Sequence, residues 1–399
     1  MFDSLCKIFY SNKNLHQQYY LERFSSPFSV HLPFEIKQFN HENSYPAFFY
    51  YNQDLALLSE KISASFNEFT ITLGNTHEAV IHQFALSSII DEVHATSSIE
   101  GIHSTHRELK EILEGTVSNN HFSSIIRKYY MLTSQNYPAF STCEDVREFY
   151  DEFAHIDIIA DNPSNRLDGI LFRAEAVDIK SSTGKIIHRG ITPEEKIIRY
   201  MSDALNFLND VSYPALVRIA VFHYLFAYIH PFYDGNGRTA RFISSCYIAK
   251  HLHYLIALRL SVTIKNKKKI YYSLLKDTDA EINCGDITPF ICGFLSFIAD
   301  TITNINRKLK HKNSQLQRLE QNLSLVCHDE LSRVIVLGLL RASVFYGRGL
   351  SMNELMTLTG KSRNTVKKKI AVLPVKYILL SDAKTKFYKI DWSALRKTR

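Results

Sequence analysis

The chain has 399 residues, 45% hydrophobic and 22% charged, with a net charge of +7; this is length for two or three domains and a composition that excludes disordered and fibrous classes. Its six cysteines are scattered with no C-x-x-C pair, which argues against a disulfide framework or a zinc site and for a reducing, cytoplasmic setting. The opening MFDSLCKIFYSNKN holds no apolar stretch followed by a cleavage site, and the most apolar run, Tyr213 to Phe232, is broken by Arg218, His223 and His230, so neither a secretory leader nor a membrane partner is expected.

Residues 1–75 form an expected N-terminal cap region, in which FSVHLPFEI and YPAFFYYN suit short strands or extended loops. A helix is expected over about 77–101, with Val80, Phe84 and Val93 at helical spacing and Gly101 as its stop. Two further helices, HRELKEILEGT and CEDVREFYDEFA, follow. Apolar-alternating runs at Ala174–Ile179 and Lys185–His188 flank Ser-Ser-Thr-Gly, the pattern of a β-hairpin. Thr192-Pro193-Glu194-Glu195 then opens a helix, with Thr192 as N-cap and Pro193 at the first position. Pro214 to Tyr228 is a strongly apolar helix, Arg238 to Leu252 another, and residues 265–323 add two or three more before the polar stretch HKNSQLQRLEQN.

The C-terminal part differs in charge. From Tyr346 to Arg399 there are thirteen Lys and Arg against three acids, so this stretch carries +10 and the rest of the chain −3. DELSRVIVLGLLRASVFYG is expected as one helix. SMNELMTLTG is a second, with Ser351 as N-cap, Glu354 completing a capping box and Gly360 at its end. KSRNTVKKKIAVL is a third, and YILLSDAKTKFYKID reads as two strands around a turn. Three helices and a ribbon resemble a winged helix-turn-helix, assigned to residues 324–399. Its third helix would present Ser362, Arg363, Asn364, Lys367 and Lys368, so DNA is a candidate partner through residues 361–369. The same arrangement also serves protein docking or homodimerisation, and a lysine-rich face can simply be solvated.

The chemistry concentrates in residues 230–241, His-Pro-Phe-Tyr-Asp-Gly-Asn-Gly-Arg-Thr-Ala-Arg. Asp-Gly and Asn-Gly alone are hairpin turns, but helical patterns flank them here. A Gly-Asn-Gly corner feeding a helix N-terminus collects backbone N–H groups and suits phosphate. His230 can accept a proton near neutral pH. Asp234 can hold one Mg²⁺, and Arg238 and Arg241 can neutralise a polyphosphate. Phe232 suits a core position that fixes the loop.

This segment matches H-x-F-x-[D/E]-G-N-G-R-x-x-R at every defined position and so resembles the signature of Fic-domain adenylyltransferases. The resemblance implies a mainly α fold: a helical core over residues 76–323 with a small β-hairpin flap, beside the winged module. It implies in-line transfer of AMP from ATP onto Ser, Thr or Tyr of a protein, with pyrophosphate released. His230 then resembles the general base, Asp234 the Mg²⁺ ligand, Gly235, Asn236 and Gly237 the phosphate nest, and Arg238 and Arg241 the phosphate arginines. The related Doc branch, which phosphorylates, lacks the full Gly-Asn-Gly, so the resemblance favours AMP transfer.

Two upstream features gain meaning from the same resemblance. Thr96-Ser97-Ser98-Ile99-Glu100-Gly101 would otherwise be the end of an amphipathic helix, although Glu100 there opposes the helix dipole and calls for a partner. Family members with [S/T]-x-x-x-E-[G/N] set this Glu against the second motif arginine, here Arg241, where it occupies the γ-phosphate position and holds the enzyme off; Thr96 and Gly101 complete that inhibitory motif. The hairpin, with Val177, Ile179, Lys185 and Ile187, resembles the flap that aligns a target segment by main-chain pairing. The acceptor is a protein hydroxyl, on another protein or on this chain. Three alternatives stand: a DNA-binding regulator that senses nucleotide and marks itself, removal of AMP by the same site, and a different transferred group.

Overall fold

The structure, a computed structural model, describes residues 3–115, 122–180, 183–323, 327, 329–346, 349–373, 378–380 and 386–390. It is mainly helical, with three small antiparallel sheets among the described residues. In chain order come α1 (Leu5–Ser11), α2 (Lys13–Phe24), β1 (Ser29–Lys37), β2 (Ser44–Tyr50), α3 (Gln53–Gly74), α4 (Glu78–Ile99), α5 (His106–Leu113), α6 (Ser123–Met131), α7 (Cys143–Tyr150) and α8 (Ile156–Asp161). Then follow β3 (Asp178–Lys180), β4 (Ile186–Arg189), α9 (Glu194–Asn209), α10 (Ala215–Ile229), α11 (Asn236–His251), α12 (Tyr254–Ala257), α13 (Leu260–Asn266), α14 (Lys268–Asp279) and α15 (Thr288–Leu323). The last elements are α16 (Glu330–Tyr346), β5 (Leu350–Ser351), α17 (Met352–Thr359), α18 (Arg363–Val372), β6 (Ile378–Leu380) and β7 (Phe387–Ile390). Contacts divide the chain into two units, residues 1–67 with 87–303 and residues 68–86 with 304–399.

The first unit is organised around two helices with no polar face. α10 is buried from Val217 to Ile229 apart from Ala227, and α11 from Arg238 to Ala249. A helix that is apolar or satisfied all round belongs at the centre of a fold. The polar groups they bury have partners. His223 meets the Ser244 and Tyr271 hydroxyls, both at 2.9 Å. Arg218 donates to the Leu208 and Tyr213 carbonyls at 2.5 and 3.0 Å and so caps the end of α9.

The two strands expected near the N-terminus pair as an antiparallel hairpin, irregular between His31 and Glu35. Helices α1 and α2 before them were not expected. Tertiary contacts account for them: Leu5 and Ile8 pack on Cys284, and Arg23 reaches buried Asp286 at 3.2 Å. The helix at Thr192-Pro193 begins one residue later than expected. Pro193 is its N-cap and makes no side-chain cap. Glu194 instead turns its carboxylate back to accept from the backbone N–H groups of Ile170, Leu171 and Phe172 at 2.9, 2.7 and 2.8 Å. The flap hairpin pairs β3 with β4. It is shorter than the sequence pattern: Val177 and Lys185 flank the strands, and Ser181 and Ser182 of its turn lie outside the described residues.

In the second unit, Ile335, Leu339, Leu340, Leu355, Val366, Leu373 and Ile390 form the core. The sheet order is β5-β7-β6, so Leu350–Ser351 adds a strand that the sequence reading left out. The Ser351/Glu354 capping box is formed, and Gly360 takes φ +63°. Ser362 caps α18, its hydroxyl accepting from Thr365 N at 3.4 Å, rather than standing on the helix face. Arg363, Asn364, Lys367 and Lys368 are exposed, and Lys369 pairs with Asp329 at 2.7 Å. Residues 377, 381–385 and 391 of the expected ribbon lie outside the described residues. Among the described residues one helix is long and apolar enough to cross a membrane, Thr288–Gln315; Phe290, Phe294 and Ile298 on it are buried in the protein.

Candidate active site

His230 follows α10 directly, in the left-handed region at φ +53°. That conformation is uncommon for a residue with a Cβ, and the carbonyls of a helix C-terminus need donors. Here each one has a donor. His230 N bonds Phe226 O at 3.0 Å and Ile191 N bonds Ile229 O at 3.0 Å. His230 Nδ1 reaches Ala227 O at 3.4 Å, and His188 Nε2 reaches Tyr228 O at 2.7 Å. Arg173 Nε bonds His230 O at 2.8 Å, and Arg173 N bonds Pro231 O at 3.2 Å. Residues 173–191 thus cap the turn that carries His230.

Arg173 is fully buried, and its guanidinium also holds Glu175 O and Ile191 O at 2.6 and 2.8 Å. Burial with only neutral acceptors lowers its proton affinity, to about 10. A Cβ on Gly190 would collide with that guanidinium and stand 3.1 Å from His230 Cβ, so glycine permits the close packing. Sequence reasoning passed over Arg173, whose only signal was a lone charge in Leu-Phe-Arg-Ala, and Tyr150, which had none.

With Nδ1 donating to Ala227 O, His230 keeps its lone pair on Nε2. Burial first, then the charges of His188 and Arg173, push its pKa down to about 3. The ring is therefore neutral at physiological pH and able to take a proton. An incoming polyphosphate would raise its basicity.

The loop beyond is fixed by aromatic stacking and one amide. Phe232 lies on Tyr150 with centroids 3.6 Å apart and planes at 7°. Asn236 Oδ1 accepts from Phe232 N at 2.9 Å, and its Nδ2 donates to Phe232 O at 2.7 Å. The Asn236 side chain thus belongs to the loop, leaving only its N–H for an anion. Gly235 is the N-cap of α11 at φ +78°, and Thr239 N makes the first bond inside the helix, to Gly235 O at 3.0 Å. The N–H groups of Asn236, Gly237 and Arg238 have no carbonyl four residues back within the helix. Arg238 Nε is buried without a hydrogen-bond partner. This donor set fits a phosphate.

Asp234 accepts from Gly235 N at 2.5 Å, and its carbonyl accepts from the Tyr150 hydroxyl at 3.1 Å. Among the described residues no group of three or more His, Cys, Asp or Glu could hold a metal. A single carboxylate fits an ion that takes its other ligands from phosphate and water, as Mg²⁺ does.

At the far end of this loop Arg241 is buried against α4. Its Nε donates to Thr96 Oγ1 at 2.9 Å, and its Nη2 to Thr96 O at 3.1 Å and Glu100 Oε1 at 2.7 Å. The Arg241 side chain is 1% exposed and that of Glu100 24%. A Cβ on Gly237 would collide with Glu100 Oε1, so Gly237 admits the carboxylate to the loop. Gly101 closes the helix end at φ +82°. α4 is anchored by Glu92, which accepts from Ser261 N and Val262 N at 2.7 and 3.2 Å, and by Lys268 Nζ on Ile99 O at 2.8 Å.

A cavity of about 580 Å³ joins these parts, lined by Glu100, His230, Gly237 and Arg241 together with Ile179 and Ile187 of the hairpin. Val177, Lys185, Asp234 and Arg238 are not among its lining residues.

The Fic/DOC family model matches residues 140–248. Protein adenylyltransferase fic-1 of Caenorhabditis briggsae is 29% identical over 143 residues, 34% of this chain and 26% of that protein. Protein adenylyltransferase Fic of Drosophila grimshawi is 35% identical over 99 residues, 25% of this chain and 17% of that protein. The chain thus spans about a quarter or less of these relatives' length. A crystal structure of a Fic family protein from Desulfovibrio desulfuricans G20 superposes with a TM-score of 0.55 at 19% identity, covering 86% of this chain and 98% of that one; at that identity the likeness is one of fold. Sequence match and fold agree: this chain carries a Fic domain, within residues 140–248.

Proposed function

We propose that this chain transfers AMP from ATP to a Ser, Thr or Tyr hydroxyl of a protein, and that Glu100 restrains it. The observation that carries the reading is the corner itself: His230, its Nδ1 turned to Ala227 O, beside a helix N-terminus and the orphaned Arg238 Nε. The acceptor hydroxyl oxygen attacks the α-phosphorus. The bond from that phosphorus to the α–β bridging oxygen breaks, pyrophosphate leaves, and the hydroxyl proton passes to His230 Nε2. The N–H groups of Asn236, Gly237 and Arg238 receive phosphate oxygens. Asp234 would hold Mg²⁺, which when bound neutralises charge on the departing pyrophosphate. Ile179 and Ile187 of the hairpin line the cavity, which supports a target segment laid along β4 by main-chain pairing.

The restraint follows from competition for one cation. Glu100 Oε1 stands 2.7 Å from Arg241 Nη2, where a γ-phosphate would need the same guanidinium. ATP bound against that carboxylate is displaced from in-line geometry, and rate depends steeply on that alignment. Intact-mass analysis of Glu100→Gly with ATP and Mg²⁺ in cell lysate tests the reading. One AMP of added mass on this chain or on another protein, at roughly 10- to 100-fold the wild-type rate, is expected. A phosphate-sized gain, or equal wild-type and variant rates, overturns it.

The exposed Arg363, Asn364, Lys367 and Lys368 on α18 support a second reading for the other unit, contact with DNA in a regulator that marks itself. Label confined to this chain, with a salt-sensitive shift of DNA, favours that reading. Label on another protein, without such a shift, disfavours it.

A further inference from the structure

β4 carries His188 opposite Ile179, with its ring buried. Nε2 lies 2.7 Å from Tyr228 O and Nδ1 3.1 Å from Asp279 Oδ2. A carbonyl and an ionised carboxylate only accept, so each ring nitrogen must carry a proton. The Tyr224 hydroxyl donates to the other carboxylate oxygen of Asp279, Oδ1, at 2.7 Å. Asp279 also ends α14, where an acid is unfavourable against the helix dipole, beside Lys276 of the same turn; a protonated His188 offsets it further.

We propose that His188 is a charged positioning residue: an imidazolium clasp that ties the hairpin strand β4 to the last turn of α10 and holds His230 in its left-handed turn. Only the clasp's effect on rate rests on the transferase reading. Burial lowers the proton affinity of His188, and the Asp279 charge and hydrogen bond, with the Tyr228 carbonyl, outweigh it and raise the pKa above the ordinary imidazole value. The other charged and titratable groups around it are Arg173, which opposes the charge, His230, and the phenols of Tyr224 and Tyr228. Lys269 and Lys276 line the same cavity.

One charge then does two things. It caps Tyr228 O, two residues before His230, and it disfavours a second cation at His230. As pH rises through the pKa of His188, one ring proton leaves, and a lone pair then faces either the carbonyl or the carboxylate. The clasp opens from the hairpin side, and the turn bearing His230 loses its support. Transfer should therefore have an alkaline limb that belongs to His188, since His230 is already neutral there.

The test uses full-length Glu100→Gly protein with ¹⁵N-labelled histidine, alone and with His188→Gln or Asp279→Asn added. Glutamine can still donate to Tyr228 O but carries no charge. Both ring nitrogens of His188 should be mostly protonated at pH 6.5, and one should lose its proton in Asp279→Asn. The protonation midpoint of His230 should move upward in His188→Gln. With ATP and Mg²⁺, His188→Gln should lower kcat about tenfold, leave KM for ATP within about threefold, and lose the alkaline limb. A neutral His188 in the parent, an unmoved His230 midpoint, or an unchanged pH profile overturns the proposal. If no AMP is transferred, the two histidine titrations still decide for or against the clasp while the transferase reading fails.

Discussion

The two ends of the His230–Arg241 corner are each gripped by a buried arginine, and the two grips differ in kind. Arg173 holds the His230 end through backbone carbonyls alone. Those acceptors are fixed by the chain and cannot be exchanged, so the guanidinium tolerates a lowered proton affinity in return for geometry. Arg241 holds the other end through Thr96 and the carboxylate of Glu100, a partner with access to water that a phosphate could replace. One arginine builds the turn, and the other is available to a ligand.

The largest effect expected from this contrast is on chemistry at the Arg173 end. His230→Ala should lower AMP incorporation by about 10²- to 10⁴-fold, the range for loss of a general base. ATP affinity should stay within about threefold, because the phosphate donors belong to α11. Radiolabel incorporation and ATP titration of the Glu100→Gly protein, with and without His230→Ala, separate the two. Undiminished incorporation would remove His230 as the base.

A second measurement compares the arginines directly. Arg173→Lys keeps the charge but cannot reach four carbonyls with a forked group. Ile229 O keeps Ile191 N, but one ammonium cannot serve His230 O, Glu175 O and Ile191 O together, and with a lost partner at about 1–3 kcal/mol a loss of roughly 3 kcal/mol is expected. Arg241→Lys can still meet the partly exposed Glu100 carboxylate but gives up one of the two buried Thr96 contacts, so about 1–2 kcal/mol is expected. Urea midpoints of the two variants rank them. Equal losses, or a larger loss at Arg241, would show that the two sites are alike.

The same contrast explains what the sequence made readable. His230, Asp234, Gly235 and Arg241 sit in one short run whose spacing alone suggests chemistry, and Gly101 and the Ser351/Glu354 capping box are local patterns that the structure contains. Arg173, Tyr150 and His188 act across 57, 84 and 40 residues. No periodicity marks such contacts, because the partner is a carbonyl, which every residue has. Helices α1 and α2 were hidden for a related reason. α2 buries only Arg23, so no apolar stripe announces it. Asn236 is legible only in part: the nest would use its backbone N–H, while the task of its side chain, holding Phe232, leaves no local mark.

The smallest expected effect concerns the anchor of the helix that carries Glu100. Burial first, against the opposing hydrogen bonds from Ser261 and Val262, pushes the Glu92 carboxyl up to about 7, from 4.5. An acid whose folded pKa exceeds its unfolded value binds more protons when folded, so stability declines as pH rises between the two values. Glu92→Gln cannot ionise, although it surrenders one N–H acceptor because glutamine has a single carbonyl oxygen. Unfolding free energies from pH 4.5 to 7.5 should therefore fall more steeply in the wild type than in Glu92→Gln, by roughly 1–2 kcal/mol over the window. If the two curves run parallel, Glu92 does not titrate there, and the attachment of α4 to α13 is independent of pH. If they diverge as expected, Glu100 stands on a helix whose hold weakens toward neutral pH, and the proposed restraint at Arg241 would ease with it.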